Sequence, residues 1–345
     1  MTTVLPGATI GLLGGGENSR MFALAARGMG YRVTVYSPDR DDVARPVCDA
    51  GMQRELDDLI SVREFAAGVD VLTVTDATVP ALAFQAAADA NPTRPLPDVF
   101  EASAGLRAET PGNPIAEFGI IGARGGDGEC VFYQPIAVDR VGGVIDGVID
   151  IARSPAAIRA RVRMRAVDAA WEILNKLKLV GVACVEFALT PEHEVVVTAV
   201  IPTPHMSGYL TIDACVTGQF EQHVRAVCGL PLGSTAMLKP AATVMLGNAD
   251  WENGEPDWIA ALAMPGIRLH LYGKSENRTG RPRGHITAMA TSATLAKQIV
   301  KAAKLSLKAA NRPGARPAEP QLPANGQPEA PALGILPEST TQPVE

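Results

Sequence analysis

In the N-terminal part of the chain, short apolar runs closed by glycine or polar turns alternate with stretches of helical period. Ala8–Leu13 is an apolar strand that runs into Gly14-Gly15-Gly16. A helix follows with Met21, Leu24 and Ala25 on one face, and Tyr31–Tyr36 is a second strand. The same rhythm predicts a helix over Leu59–Ala67, a strand over Asp70–Thr75 and a helix over Val79–Ala90. Strand, glycine turn, helix and strand in that order predict a parallel sheet with crossover helices.

The pattern then breaks. Asn91–Pro114 holds five prolines and little periodicity, which reads as a linker. Ile115–Arg124 and Cys130–Val138 predict a hairpin turned at Gly125-Gly126-Asp127-Gly128. Ser154-Pro155 is expected to open a long amphipathic helix, serine as N-cap and proline in its first turn, with Ile158, Val162, Val167, Trp171, Leu174 and Leu177 as its buried stripe. Val180–Leu189 and Glu194–Ile201 form a second hairpin, and one helix is expected over Ile212–Cys228, ending at Gly229. Strands at Ala242–Leu246, Ile267–Tyr272 and His285–Ala290 precede a closing helix from Ala293. From Arg312 to Glu345 there are eight prolines and almost no large apolar side chains, so this tail is expected to stay disordered.

Composition narrows the function classes. A net charge of −6 and a pI near 5.5 argue against nucleic acid as a partner, since phosphate backbones are held by clustered Lys and Arg. No apolar run is long enough to span a bilayer, and the start lacks the basic segment of a signal peptide, so a cytoplasmic protein is expected. Five cysteines without a C-x-x-C pair read as reduced core thiols.

Gly14-Gly15-Gly16-Glu17-Asn18-Ser19 can be read as a dinucleotide fingerprint with Asp39 as the ribose acid, but Ser19 takes the place of the third glycine. His205 has no acidic or cysteine neighbour in sequence and reads as structural. His223 lies mid-helix and reads as packing or interface, and His193 falls in a turn.

His205–Gly233, HMSGYLTIDACVTGQFEQHVRAVCGLPLG, resembles a characteristic segment of the carboxyaminoimidazole ribonucleotide synthase family of ATP-grasp ligases. The N-terminal LPGATIGLLGGG and Leu269–His285, LHLYGKSENRTGRPRGH, resemble two further blocks of that family. The resemblance implies an α/β chain with a Rossmann-like pre-ATP-grasp domain over 1–97, a linker in place of the lid over 98–114, and a truncated ATP-grasp core over 115–235. A small β-rich C-terminal domain over 236–311 and the tail over 312–345 complete it. It also implies a reaction in which magnesium ATP activates bicarbonate to carboxylate aminoimidazole ribonucleotide.

Carried onto this chain, the family's substrate-phosphate contacts fall on Lys274, Arg281, Gly15 and Gly16, with Arg278 and Arg283 nearby; the alternative for the basic cluster is a solvated hairpin. The substrate loop falls on His205 and Ser207, and the first magnesium carboxylate on Glu186. Several positions depart from the family. Asn, Glu and Arg of its N-E-I-A-P-R-P-H motif are Thr198, Ala199 and Thr203. Both glutamates are missing from Val74-Thr75-Asp76-Ala77-Thr78-Val79-Pro80, and the Glu, Asn and His that follow the family's tyrosine are missing after Tyr133. About eighteen residues, Asp98 to Ile115, stand where the family has its lid.

The expectation is therefore a degenerate member without ligase activity and with Glu186 as a vestigial ligand. It would act as a homodimer, as a heterodimer with an active paralogue, or as a binder of a phosphorylated ribose. The remaining alternative is an active or partner-assisted synthase with a minimal site, and ATP and magnesium are expected only if that family activity persists.

Overall fold

The computed structural model describes residues 2–106, 109, 112–139, 151–252, 254–273 and 282–307. In the N-terminal part, β1 (Thr9–Leu13), β2 (Arg32–Ser37), β3 (Ala50–Gln53) and β4 (Val71–Val74) form a parallel sheet in the order β3-β2-β1-β4. Helices α1 (Glu17–Gly28), α2 (Leu59–Ala67) and α3 (Ala81–Ala88) accompany it. Ile10, Leu12, Val33, Val35 and Val71 are wholly buried, as strands covered on both faces require. β1 pairs with β2 on one side and β4 on the other, so the chain changes direction there, and the crevice beyond the carboxyl ends of the strands is the place such sheets offer a ligand.

Two details differ from the sequence reading. α1 buries Met21, Phe22, Ala23 and Ala26, while Leu24 is exposed, because the Phe22 ring packs edge-on against His223 at 5.4 Å. β3 has little strand propensity of its own; it forms because its backbone pairs with the open edge of β2, Thr34–Ser37.

The expected linker begins with a helix, α4 (Asp98–Ala104). Asp98 and Glu101 complement its N-terminal dipole, Val99 is buried, and Phe100 meets Phe84 edge-on at 5.4 Å. Only residues 105–115 separate α4 from the second sheet.

Among the described residues that sheet has nine strands. These are β5 (Ala116–Arg124), β6 (Cys130–Phe132), β7 (Ile136–Asp139), β8 (Ile151–Ser154), β9 (Gly181–Leu189), β10 (Val195–Ile201), β11 (Ala241–Leu246), β12 (Ile267–Leu271) and β13 (Gly284–Met289). The order is β10-β9-β5-β7-β8-β11-β13-β12, with β6 also on β5. The β8–β11 pairing makes the sheet continuous across the boundary expected near residue 235. The expected hairpin partner Cys130–Val138 is split into β6 and β7 around Tyr133–Pro135, each pairing with a different part of β5.

α5 (Ala160–Lys176) starts later than expected. Ser154 ends β8 instead of capping a helix, and its buried hydroxyl donates to Pro135 O at 3.0 Å. α5 buries Val162, Ala166, Ala170 and Leu174, which leaves Trp171 half exposed on the outer face. The helix expected over 212–228 is interrupted. α6 (Thr211–Ala214) stops where Cys215 turns extended and bridges to Met237, and α7 (Gln219–Cys228) restarts after Gly218. Gly229, at φ +70°, ends α7 in the left-handed conformation. α8 (Trp258–Leu262) and α9 (Ala293–Ser306), the latter capped by Ser292, cover β11–β13. Among the described residues no helix is long and apolar enough to cross a membrane, and all five cysteines are free thiols.

Candidate functional site

The carboxyl ends of β1, β2 and β4 enclose a cleft of about 530 Å³ lined by Gly14–Gly16, Ser37–Asp42, Asp76, Thr78 and Val79. Gly14 holds φ +93°, a conformation that only glycine adopts easily. At Gly15 a Cβ would lie 2.4 Å from Asp42 Cβ, so any side chain there has to displace Asp42. Asp42 is buried, and its carboxylate accepts from Arg45 N at 2.6 Å and from the Arg45 guanidinium at 3.4 Å. Burial pushes its pKa up, against the pull of Arg45. Asp39, Asp41, Asp42 and Asp76 against Arg40 make the described lining acidic. Asp39, the ribose-acid candidate, thus shares this cleft with Gly15 and Gly16.

Asn18, one residue beyond the start of α1, joins this cleft to the core. Its Nδ2 donates to Thr75 O and Pro204 O, both at 3.0 Å, and its Oδ1 accepts from the Tyr209 hydroxyl at 2.6 Å. On the core side, His205 and Ser207 are adjacent, with His205 Nδ1 2.8 Å from Ser207 Oγ. Gln219, wholly buried, clamps the His205 backbone: its Oε1 accepts from His205 N at 3.1 Å, and its Nε2 donates to His205 O at 2.8 Å. His205 is half-buried, and desolvation lowers its pKa to about 4. Neither Asn18 nor Gln219 was singled out by sequence reasoning; amide side chains give no spacing signal.

Glu186 lies on β9, and its register partner on β10 is Ala199, next to an irregularity at Val197/Ala199. One ligand atom each from Cys184, Glu186 and His205 fall within 4.8 Å of one another. This donor set does not fit magnesium, which takes hard oxygen ligands, and the facing position offers a methyl group. Thr203, where the family has arginine, is buried.

His223 is structural, as its sequence context suggested. Thr73 Oγ1 donates to Arg94 O at 2.6 Å, so it accepts from His223 Nε2 at 3.0 Å, and His223 Nδ1 accepts from Val182 N at 3.0 Å. Both nitrogens are thereby used in the neutral form, and burial lowers the pKa to about 3. Tyr133 likewise serves the fold, donating to Thr217 O at 2.7 Å. Lys274, Arg278 and Arg281 lie outside the described residues, as does the 312–345 tail. Arg283 places its guanidinium over the Trp251 ring, 4.2 Å from the centroid.

Three family models match in succession: a ribonucleotide synthetase preATP-grasp domain over 7–103, an ATP-grasp domain over 101–220, and a phosphoribosylaminoimidazole carboxylase C-terminal domain over 245–299. The N5-carboxyaminoimidazole ribonucleotide synthase of Brucella melitensis is 30% identical over 356 aligned positions, which take in 83% of this chain and 97% of that protein. The chain belongs to this synthase family. The Bacillus subtilis synthase is 27% identical over 354 positions, with 83% of this chain and 92% of the relative covered. Among solved structures, the synthetase from Thermus thermophilus superposes with a TM-score of 0.76 at 25% identity, covering 86% of this chain and 98% of that one. The synthetase from Thermotoga maritima gives 0.75 at 26%, with the same coverage. A synthetase solved as an ADP complex gives 0.78 at 25%, covering 88% and 98%.

Proposed function

We propose that this member of the synthase family is a binding or scaffolding protein that does not carry out the ATP-dependent carboxylation itself. The observation that carries the reading is Ala199 standing in register opposite Glu186. In the family, by the resemblance drawn from the sequence, a carboxylate on each of those two strands holds the nucleotide's magnesium. Phosphoryl transfer rests almost wholly on positioning and charge stabilisation, and a single charged contact is worth about 3–4 kcal/mol.

The length of the match supports the same view. The matched 83% of this chain is about 286 residues set against 354 aligned positions, so nearly seventy residues of the Bacillus relative find no counterpart here. The passage from α4 to β5 spans only residues 105–115, which is short for a lid over nucleotide phosphates and adds to that support. With its frame intact, the chain would pair with itself or with an active synthase. Its N-terminal cleft would take a ribose-phosphate, with Lys274 and Arg281 supplying the positive charge that the acidic lining lacks.

A second reading, an active or partner-assisted synthase, draws support from the match to the Brucella enzyme, which takes in 97% of that protein. The deciding experiment is ADP release by purified protein supplied with magnesium ATP, bicarbonate and aminoimidazole ribonucleotide, beside a full-length synthase. We expect release at background. Turnover above background would sink the binding-protein reading and establish the second one.

A further inference from the structure

His270 on β12 and His285 on β13 are directly paired residues, and their imidazoles stack with centroids 4.4 Å apart and planes 13° from parallel. Asp213, from α6, reaches the same place: its carboxylate oxygens lie 3.0 and 3.2 Å from His270 Nε2. One ligand atom from each of the three falls within 4.8 Å of the other two. None of these residues takes part in the function proposed above.

The Tyr272 hydroxyl lies 2.7 Å from His285 Nδ1. With the ring proton on Nδ1 and donated to that hydroxyl, Nε2 carries a bare lone pair. His285 is wholly buried, and its Nε2 has no hydrogen-bond partner. A buried acceptor left unmade costs about 1–3 kcal/mol. Beside it stand a carboxylate and a second imidazole, themselves ligands for metals.

We propose that Asp213, His270 and His285 form a binding site for a divalent transition-metal ion of the zinc class. Imidazole nitrogens with one carboxylate suit zinc, nickel, cobalt or iron better than magnesium or calcium. His285 Nδ1–H held by Tyr272 is the outer hydrogen bond that orients a ligating imidazole. His270 exchanges its hydrogen bond to Asp213 for the ion, and both side chains, 25% and 11% exposed, provide the entry side. Three protein ligands leave a fourth position for water or a small anion. The ion ties α6 to β12 and β13, the two strands between which Lys274 and Arg281 fall in the sequence.

The test uses the untagged full chain, stripped with a chelator and titrated with Co²⁺ and Zn²⁺. We expect one ion per chain, a cobalt spectrum of nitrogen and oxygen ligands without a thiolate charge-transfer band, and a melting temperature that rises with added zinc. Asp213→Asn and His270→Gln should each weaken binding at least tenfold, while Cys184→Ala leaves it unchanged. Asp213→Asn keeps the shape of the side chain, so it decides the matter if His270→Gln does not fold. Substoichiometric binding, or unchanged affinity in Asp213→Asn, overturns the proposal. So does a thiolate band that disappears in Cys184→Ala, because the ion would then sit at Cys184, Glu186 and His205.

Discussion

The N-terminal cleft and the β9–β10 hairpin meet through Asn18, yet they are built from different materials. The cleft is shaped by backbone: a glycine loop at a strand end, and a Gly15 that lets Asp42 approach to where a Cβ would collide. The hairpin is shaped by backbone too, but its chemistry in the family depends on which side chains project from it. Exchanging a carboxylate for the Ala199 methyl leaves the β9–β10 pairing in place. A backbone-built site is hard to lose without losing the fold, whereas a side-chain-built site can be emptied one residue at a time. What joins the two regions is polar: partly buried Asn18 to Thr75 and Pro204, and buried His223 to Thr73 and Val182.

That contrast breaks most visibly in acid. His223 has its pKa lowered from 6.5 to about 3 by burial. Between those values the unfolded chain binds a proton that the folded chain refuses. This histidine's contribution to stability is therefore full above pH 6.5 and shrinks as pH falls toward 3, by about 1.4 kcal/mol per unit. His205, lowered to about 4, adds a loss of the same sign, while the raised pKa of Asp42 acts in the opposite direction. Urea unfolding at pH 7, 6, 5 and 4 should show the wild type losing stability faster than His223→Gln, by close to one proton's worth of slope. Parallel pH profiles would mean that the domain junction does not depend on a neutral imidazole.

The next largest effect is expected at Asn18. Asn18→Ala leaves the Tyr209 hydroxyl and the Thr75 and Pro204 carbonyls without their partner at a partly buried place. Unmade buried hydrogen bonds of this kind cost about 1–3 kcal/mol each before relaxation and water entry. A net loss of about 2–4 kcal/mol by denaturant unfolding is expected on that scale. A loss below ~1 kcal/mol would show that water replaces the amide, and that the cleft and the core loop are coupled more weakly than the geometry implies.

Legibility in the sequence follows the same division. The parallel sheet, both β-hairpins around β5 and β9, and the closing helix were readable because hydrophobic period and glycine turns are local signals. α4 was hidden among prolines, since its stability comes from Val99 and Phe100 packing rather than from a long apolar stripe. The break between α6 and α7 was equally hidden, because Cys215 leaves the helix to bridge Met237, a tertiary event. Trp171 was assigned to a buried stripe on period alone, but α5 buries its small face, Ala166 and Ala170, instead. Gly15, Gly16, His205, Ser207 and Glu186 were singled out through resemblance to the family's motifs. Asp213, His270 and His285 were not, because 57 residues separate the first two and only the strand register brings the histidines face to face.

The smallest expected effect sharpens the comparison most. Gly15→Ala asks whether the cleft is fixed by backbone, as argued, or gives way like a side-chain site. An added Cβ would meet Asp42 Cβ at 2.4 Å and Asp42 Oδ2 at 2.7 Å, so the Asp42 side chain and its hydrogen bonds to Arg45 must move. Overpacking of this sort costs about 1–3 kcal/mol. Because Asp42 lines the cleft, the movement should also change the cleft's shape, detectable as altered amide exchange at residues 37–45. A destabilisation within that range, with exchange changes confined to this loop, is the expected result. Unaltered stability and exchange would mean that Asp42 rearranges without strain, and the distinction between a rigid cleft and a permissive hairpin would fail.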